Sequence, residues 1–292
     1  MKKIKPILVL ALIMMTAFSC KKSEKTAESI TENTKIKTER IISLNGAITE
    51  IVAALGHEKD IVGTDVTSTY PETLKKMAKD LGHVRSISIE SIMALQPNII
   101  LATDKDMSPE LLEKIKKSGI KAAVFTQEFS PEGTKKLIED VAKALNNTNY
   151  EVLQQKVDAD KEKLKRFKTA PKVLFIYARG AGMLMVSGKN TPVEKVITLA
   201  GGQNAVTDFE DYKPLTPEAL IKGNPDVILM FTSGLESVGG VDGALKIKGV
   251  DKTNAGKNKK IIAMDGALLS GFGPRLGEAT TQLNALLAEN AK

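Results

Sequence analysis

The sequence predicts an α/β protein of two Rossmann-like lobes, each a mainly parallel sheet covered by helices, joined by one long backbone helix. Three observations lead there: short apolar strands alternate with segments of helical period, a charged stretch free of Gly and Pro lies near the middle, and one strand-forming motif occurs twice. The 292 residues are 26% charged and 42% hydrophobic, an ordinary globular composition with room for two domains.

The chain opens with a basic run, Met1-Lys2-Lys3-Ile4-Lys5, and a short apolar stretch from Ile7 to Met15. That stretch is too short for a mature membrane span, so residues 1–19 read as a secretory signal peptide. It ends at Cys20, the one cysteine of the sequence. A cysteine in that place resembles a bacterial lipobox, whose thiol is acylated; the plainer reading is a signal peptide with an incidental cysteine, and Phe18 departs from the usual small residues. A single cysteine excludes an intramolecular disulfide and cysteine-type zinc sites. Residues 20–38, rich in Lys, Glu, Thr and Ser, bury too little to fold and read as a lipidated flexible tether.

The N-terminal lobe is expected over 39–148. Arg40 to Leu44 is an apolar strand, Asn45-Gly46 a turn, and Ala47 to Leu55 a helix stopped by Gly56. Strands follow at Asp60–Gly63, Asn98–Ala102 and Ala122–Phe125, with helices at Ser91–Leu95, Glu110–Ser118 and Pro131–Leu145. Residues 149–169 contain neither Gly nor Pro and place Tyr150, Leu153, Val157, Leu164 and Phe167 among charged residues, which predicts a single connecting helix ended before Pro171. A second βα series over 170–292 begins at Lys172–Tyr177. Glu90-Ser-Ile-Met-Ala-Leu-Gln-Pro97-Asn-Ile-Ile-Leu101 matches Glu218-Ala-Leu-Ile-Lys-Gly-Asn-Pro225-Asp-Val-Ile-Leu229, and Glu50 to Gly56 more loosely matches Glu194 to Gly201, as expected of two related lobes. The ligand cleft then falls between the lobes, at the carboxyl ends of the strands.

Several function classes are excluded or disfavoured. The formal charge is +7, but Lys2, Lys3 and Lys5 fall in the segment to be removed and the remaining lysines are interspersed with acids, so no nucleic-acid partner is indicated. Gly180-Ala-Gly182 lacks the third glycine of a dinucleotide loop, Met185 standing in its place. Ser270 is not in a nucleophile elbow, because Leu268 occupies the position that needs Gly. Two histidines are too few for a zinc or manganese carrier. No catalytic residue is expected, and no catalytic cofactor.

Arg40-Ile-Ile-Ser-Leu, Glu50, Leu55-Gly, Ile61-Val-Gly-Thr-Asp, Tyr70-Pro-Glu and Ile89-Glu-Ser-Ile…Leu95-Gln-Pro together resemble the helical-backbone (class III) periplasmic binding proteins, which serve importers of haem, ferric siderophores and cobalamin. Within that class, Thr67-Ser-Thr-Tyr70-Pro, Leu81-Gly-His-Val-Arg85, Ala178-Arg179-Gly-Ala-Gly-Met183, Ser187-Gly-Lys-Asn-Thr, Tyr212-Lys-Pro-Leu and Gly271-Phe-Gly-Pro-Arg275 look most like haem-binding members. The resemblance implies Tyr70 as the iron ligand, since a phenolate oxygen is a hard donor suited to ferric iron. His83 and Met183 are candidates for a second ligand. Arg85, Arg179, Arg275 and Lys189 are candidates for the haem propionates, Arg being able to hold a carboxylate through two hydrogen bonds. Glu90 and Glu218 resemble the acids with which this class docks on its importer, although acids are also favoured in any first helical turn. His57 reads as a surface residue after Gly56.

The expected protein is thus a monomeric, lipid-anchored solute-binding protein outside the cytoplasmic membrane that captures haem and passes it to an ABC permease and its ATPase. A ferric siderophore or cobalamin is the alternative ligand, and an enzyme built on the same fold the less favoured reading.

Overall fold

In the computed structural model, residues 39–158 and 161–290 are described. The expected signal peptide, Cys20 and tether lie outside the described residues. The first sheet is built from β1 (Ile41–Ser43), β2 (Ile61–Thr64), β3 (Lys79–Asp80), β4 (Ile99–Thr103) and β5 (Lys121–Phe125) in the order β3-β2-β1-β4-β5, every pair parallel. Parallel neighbours need crossover connections, and the helices Gly46–Val52, Leu74–Met77, Ile89–Met93 and Pro109–Ser118 supply them. Both faces of β1 and β4 are therefore covered and all their residues are buried, which is why the sequence there is a continuous apolar run. Helix Pro109–Ser118 illustrates the local code. Ser108 Oγ accepts from Leu111 N–H, Pro109 occupies the first turn, and Gly119 closes the helix in the left-handed region (φ 77°).

The second sheet contains β6 (Lys172–Ala178), β7 (Leu184–Ser187), β8 (Gln203–Asn204), β9 (Tyr212–Pro214), β10 (Val227–Phe231) and β11 (Ile261–Met264). Its order is β11-β10-β6-β7-β9, with β8 beside the start of β6. The pairs β6–β10 and β10–β11 are parallel, whereas β7 runs antiparallel to β6 and β9. The return from β6 into β7 is tight: Gly180 adopts φ 71°, and Met183 N–H donates to Gly180 O. A connection that short can join only antiparallel strands.

The duplicated motif occupies matching places. The helix Ile89–Met93 leads into β4, which pairs with the first strand of its sheet, β1; the helix Pro217–Gly223 leads into β10, which pairs with β6. One apolar cluster runs through both lobes, joining Ile41, Ile48 and Leu101 to Phe175, Val196, Leu229 and Leu283, and further clusters cover the other sheet faces.

The connector differs from the expected helix over 149–169. The helix is Glu151–Asp158, a 3-10 turn follows at Lys161–Lys163, and the chain from Leu164 is not helical. Asn284, on the C-terminal helix Leu276–Asn290, explains the difference. Its Oδ1 accepts from Lys165 N–H at 2.8 Å and its Nδ2 donates to Lys165 O at 2.9 Å, while Phe167 packs on the shared core. These contacts take the backbone groups that a continuing helix would use, so tertiary pairing overrides a weak local preference. Among the described residues no helix is long and apolar enough to cross a membrane.

Candidate ligand cleft

A cavity of about 370 Å³ lies between the lobes. Its N-terminal wall comes from residues just beyond the carboxyl ends of β1, β2, β4 and β5, namely Asn45, Thr67, Thr69, Lys105, Gln127 and Phe129. The facing wall is the segment Gly266–Gly271 that follows β11. This is the end of a parallel sheet at which open α/β folds bind ligands.

The N-terminal wall is polar and internally bonded. Thr49 Oγ1 lies 2.7 Å from both Ser43 Oγ and Ser68 Oγ; Ser68 Oγ and Thr67 Oγ1 each donate to the Asp65 carboxylate at 2.7 Å. Gly46 N–H donates to Thr67 Oγ1, and a side chain at Gly46 would stand only 2.6 Å from Thr67 O, so the loop approaches as closely as it does because residue 46 has none. Burial pushes the Asp65 carboxyl above its ordinary value, against the lowering effect of its Thr67 and Ser68 donors. Nearby, Asp106 accepts from Asn45 Nδ2 (2.9 Å) and Thr103 Oγ1 (2.6 Å).

The C-terminal lobe offers a different surface. Tyr212, Phe175, Phe231 and Tyr177 form an aromatic series with centroid separations of 6.5, 4.7 and 6.0 Å, each pair edge-on. Burial drives the Tyr212 phenol up to about 12, so it remains neutral in the interior. Phe231 and Tyr177 sit at the carboxyl ends of β10 and β6, both half-buried, and Gly266 of the cavity wall lies against the Phe231 ring. The Arg179 guanidinium stands 5.7 Å from the Tyr177 ring centroid.

The expected site residues distribute unevenly. Arg179 and Met183 lie together on the β6–β7 turn at the cleft end of the sheet, Arg179 N–H donating to Met183 O. His83 and Arg85 are exposed on the loop after β3. The hydrogen bonds Leu81 N–H to Thr64 O and Val66 N–H to Gly82 O hold that loop beside the Thr67 loop, again at the cleft end. Tyr70 does not line the interlobe cavity. It is 43% exposed and covers Arg275, whose guanidinium lies 3.7 Å from its ring centroid, in a separate depression bordered by Lys156 and Glu278. Arg275 itself donates from Nε and Nη2 to the two oxygens of Glu50, at 2.9 and 2.6 Å. It therefore grips a carboxylate of this chain. Burial holds the Glu50 carboxyl above its ordinary value, with Arg275 opposing. The same segment is fastened to the N-terminal lobe by Gln127 Nε2 donating to Gly271 O and Thr134 Oγ1 donating to Phe272 O.

Lys189 is far from the cleft end. Because β7 runs back along β6, residues after Ser187 approach the start of β6, where Asn204, paired with Val173, donates to Gly188 O. Glu90 and Glu218 are exposed in the first turns of their helices, and the backbone and Ser88 hydrogen bonds hold the Glu90 carboxyl below its ordinary value. His57 Nδ1 pairs with Asp60 at 2.9 Å. Among the described residues no group of three or more His, Cys, Asp or Glu gathers that could hold a metal ion. Tyr177 and Phe231 were hidden from the sequence inside apolar strand runs. The available signal was spacing, since Tyr177-x-Arg179 repeats the pattern of His83-x-Arg85.

Two lobes on a short connector, with a cleft at the strand ends, are the architecture of a solute-binding protein. The chain belongs to the periplasmic binding protein family, whose model matches residues 41–268. Its structure is similar to that of RhuT, the periplasmic haem-binding protein of Roseiflexus sp. RS-1 in apo form, with a TM-score of 0.83 and 40% identity over 87% of this chain and 100% of that one. It is 28% identical over 257 residues to YvrC of Bacillus subtilis (strain 168), an uncharacterized ABC transporter substrate-binding lipoprotein, covering 85% of this chain and 80% of the relative. It is also 29% identical over 211 residues to the vitamin B12-binding protein of Vibrio parahaemolyticus serotype O3:K6, covering 67% and 70%.

Proposed function

We propose that this chain is an extracytoplasmic lipoprotein, anchored through Cys20, that captures haem in the interlobe cleft and delivers it unchanged to an ABC permease and its ATPase. The observation that carries the haem reading is the aromatic end of the C-terminal wall. Haem is a flat apolar disc with two carboxylates and a metal at its centre, and it needs a flat apolar surface, fixed cations and a donor for iron. Phe231 and Tyr177 supply apolar aromatic surface at the strand ends, and Arg179 with Arg85 the cations. A phenolate oxygen suits ferric iron. Of the two candidate phenols, Tyr177 has the stronger support, because it stands at the cleft end of β6 beside Arg179, whereas the Tyr70 ring covers an arginine already engaged by Glu50. His83, next to Arg85 on the opposite lobe, is the candidate for a second axial position; Met183 is the less favoured one. Similarity to RhuT over its whole length supports the same ligand.

Cobalamin is the second reading, favoured by the vitamin B12-binding relative. That ligand brings its own metal coordination and would leave the paired arginines without a task. Equilibrium titration of the chain from residue 39 with hemin, and separately with cyanocobalamin and a ferric siderophore, separates the readings. A saturable Soret shift with hemin and no response to the others is expected. Saturable cobalamin binding without a hemin response would overturn the haem assignment and leave the carrier role intact.

A further inference from the structure

The duplicated motif repeats a surface as well as a fold. Ser88 and Thr216 cap the two helices in the same way, each side-chain oxygen accepting the backbone N–H three residues on, from Ser91 and Ala219. Two residues after each cap stands an exposed acid, Glu90 or Glu218. Ile92 and Leu220 are both fully buried and anchor their helices to the sheets. The next position is Met93 in one lobe and Ile221 in the other, 44% and 51% exposed. Each lies three residues after its acid, so acid and apolar side chain share one helix face.

A single exposed aliphatic side chain is ordinary. Two at equivalent positions of related units, each beside an exposed acid, are not accounted for by folding, since the core contact of each helix is already made by its neighbour. Both helices also begin at the cleft end of their sheets. The first follows the His83 loop beyond β3; the second follows β9, whose Pro214 pairs with Met185, which in turn pairs with Tyr177.

We infer that Met93 and Ile221 are apolar anchors of a two-part docking surface, in which Glu90–Met93 and Glu218–Ile221 each engage one half of a two-fold symmetric membrane partner that presents a cation beside an apolar pocket. A surface offered twice by related lobes matches a partner that offers its own surface twice. Truncating a buried apolar anchor weakens an interface by about tenfold or more, whereas a rim charge acts more on association rate and salt dependence. The inference rests on the reading that the two acids dock.

The test uses the haem-loaded protein and the cognate permease–ATPase complex of its source cell in nanodiscs, with ATPase stimulation read against protein concentration. The double variant Met93→Ser/Ile221→Ser should raise the half-stimulating concentration at least about tenfold, with the Soret spectrum and thermal midpoint unchanged. Glu90→Gln/Glu218→Gln is the parallel arm. If the glutamine variant loses coupling while the serine variant matches the parent protein, the apolar anchors are overturned and acid docking stands. If neither variant changes coupling, the docking face itself is wrong.

Discussion

The two lobes follow one βα plan yet carry unlike side chains at the cleft ends of their sheets. In the N-terminal lobe the loop from Asp65 to Thr69 is tied to Thr49 through Ser68, and Thr49 in turn is bonded to Ser43, so the wall is polar and pre-set. In the C-terminal lobe the strand ends carry Phe231 and Tyr177, continuous with aromatic rings of the interior. The difference teaches that a repeated scaffold can divide recognition. One lobe supplies fixed polar geometry, the other edge-on aromatic rings with a cation beside them. A ligand that is flat, apolar and acidic at one edge suits such a pair.

The seam between the lobes should give the largest response. Arg275→Ala leaves Glu50, 7% exposed, without its cation, and loss of one partner from a buried pair costs about 3–5 kcal/mol. Denaturant unfolding would measure it; a loss below about 1 kcal/mol, the range of exposed pairs, would show that the seam is not held by this contact. The next pair of changes separates the walls. Ser68→Ala removes a donor from Asp65 and a partner from Thr49, and should cost about 2 kcal/mol of stability with little effect on hemin affinity. Arg179→Ala should do the reverse, weakening hemin binding about tenfold, the worth of a hydrogen bond to a charged group, at nearly unchanged stability. If both variants altered the same property, the division between walls would fail.

The smallest effect concerns pH. The folded Asp65 carboxyl lies above its ordinary value of 3.8 because it is buried. The folded state therefore holds that proton more tightly than the unfolded chain. The resulting stabilisation is full below 3.8 and is lost as pH rises through the folded value. Relative to Asp65→Asn, which cannot titrate there, the parent protein should gain stability as pH falls towards 4, by denaturant unfolding at fixed ionic strength. A parent protein that loses ground against the variant on acidification would reverse the sign.

Much of the fold was legible because buried parallel strands are written as unbroken apolar runs, as in Ile99–Thr103 and Val227–Phe231, with caps and Gly stops around the helices between them. The connector was not, because Asn284, which captures Lys165, lies 119 positions away. Of the proposed site residues, Arg179, Arg85 and His83 were visible as charged or polar residues between apolar segments. Tyr177 was not, since a strand-end tyrosine looks like core. The Tyr70 ring direction depends on where Arg275 arrives from the other end of the chain, and the place of Lys189 depends on the antiparallel return of β7, which is not written in its own residues.

Iron-edge anomalous diffraction from crystals of the hemin-bound protein tests the central claim most directly. The account predicts an iron peak in the cleft between the walls, bonded to the Tyr177 phenolic oxygen with Arg179 on a propionate. An iron peak beside Tyr70 and Lys156, or on the outer surface, would contradict it.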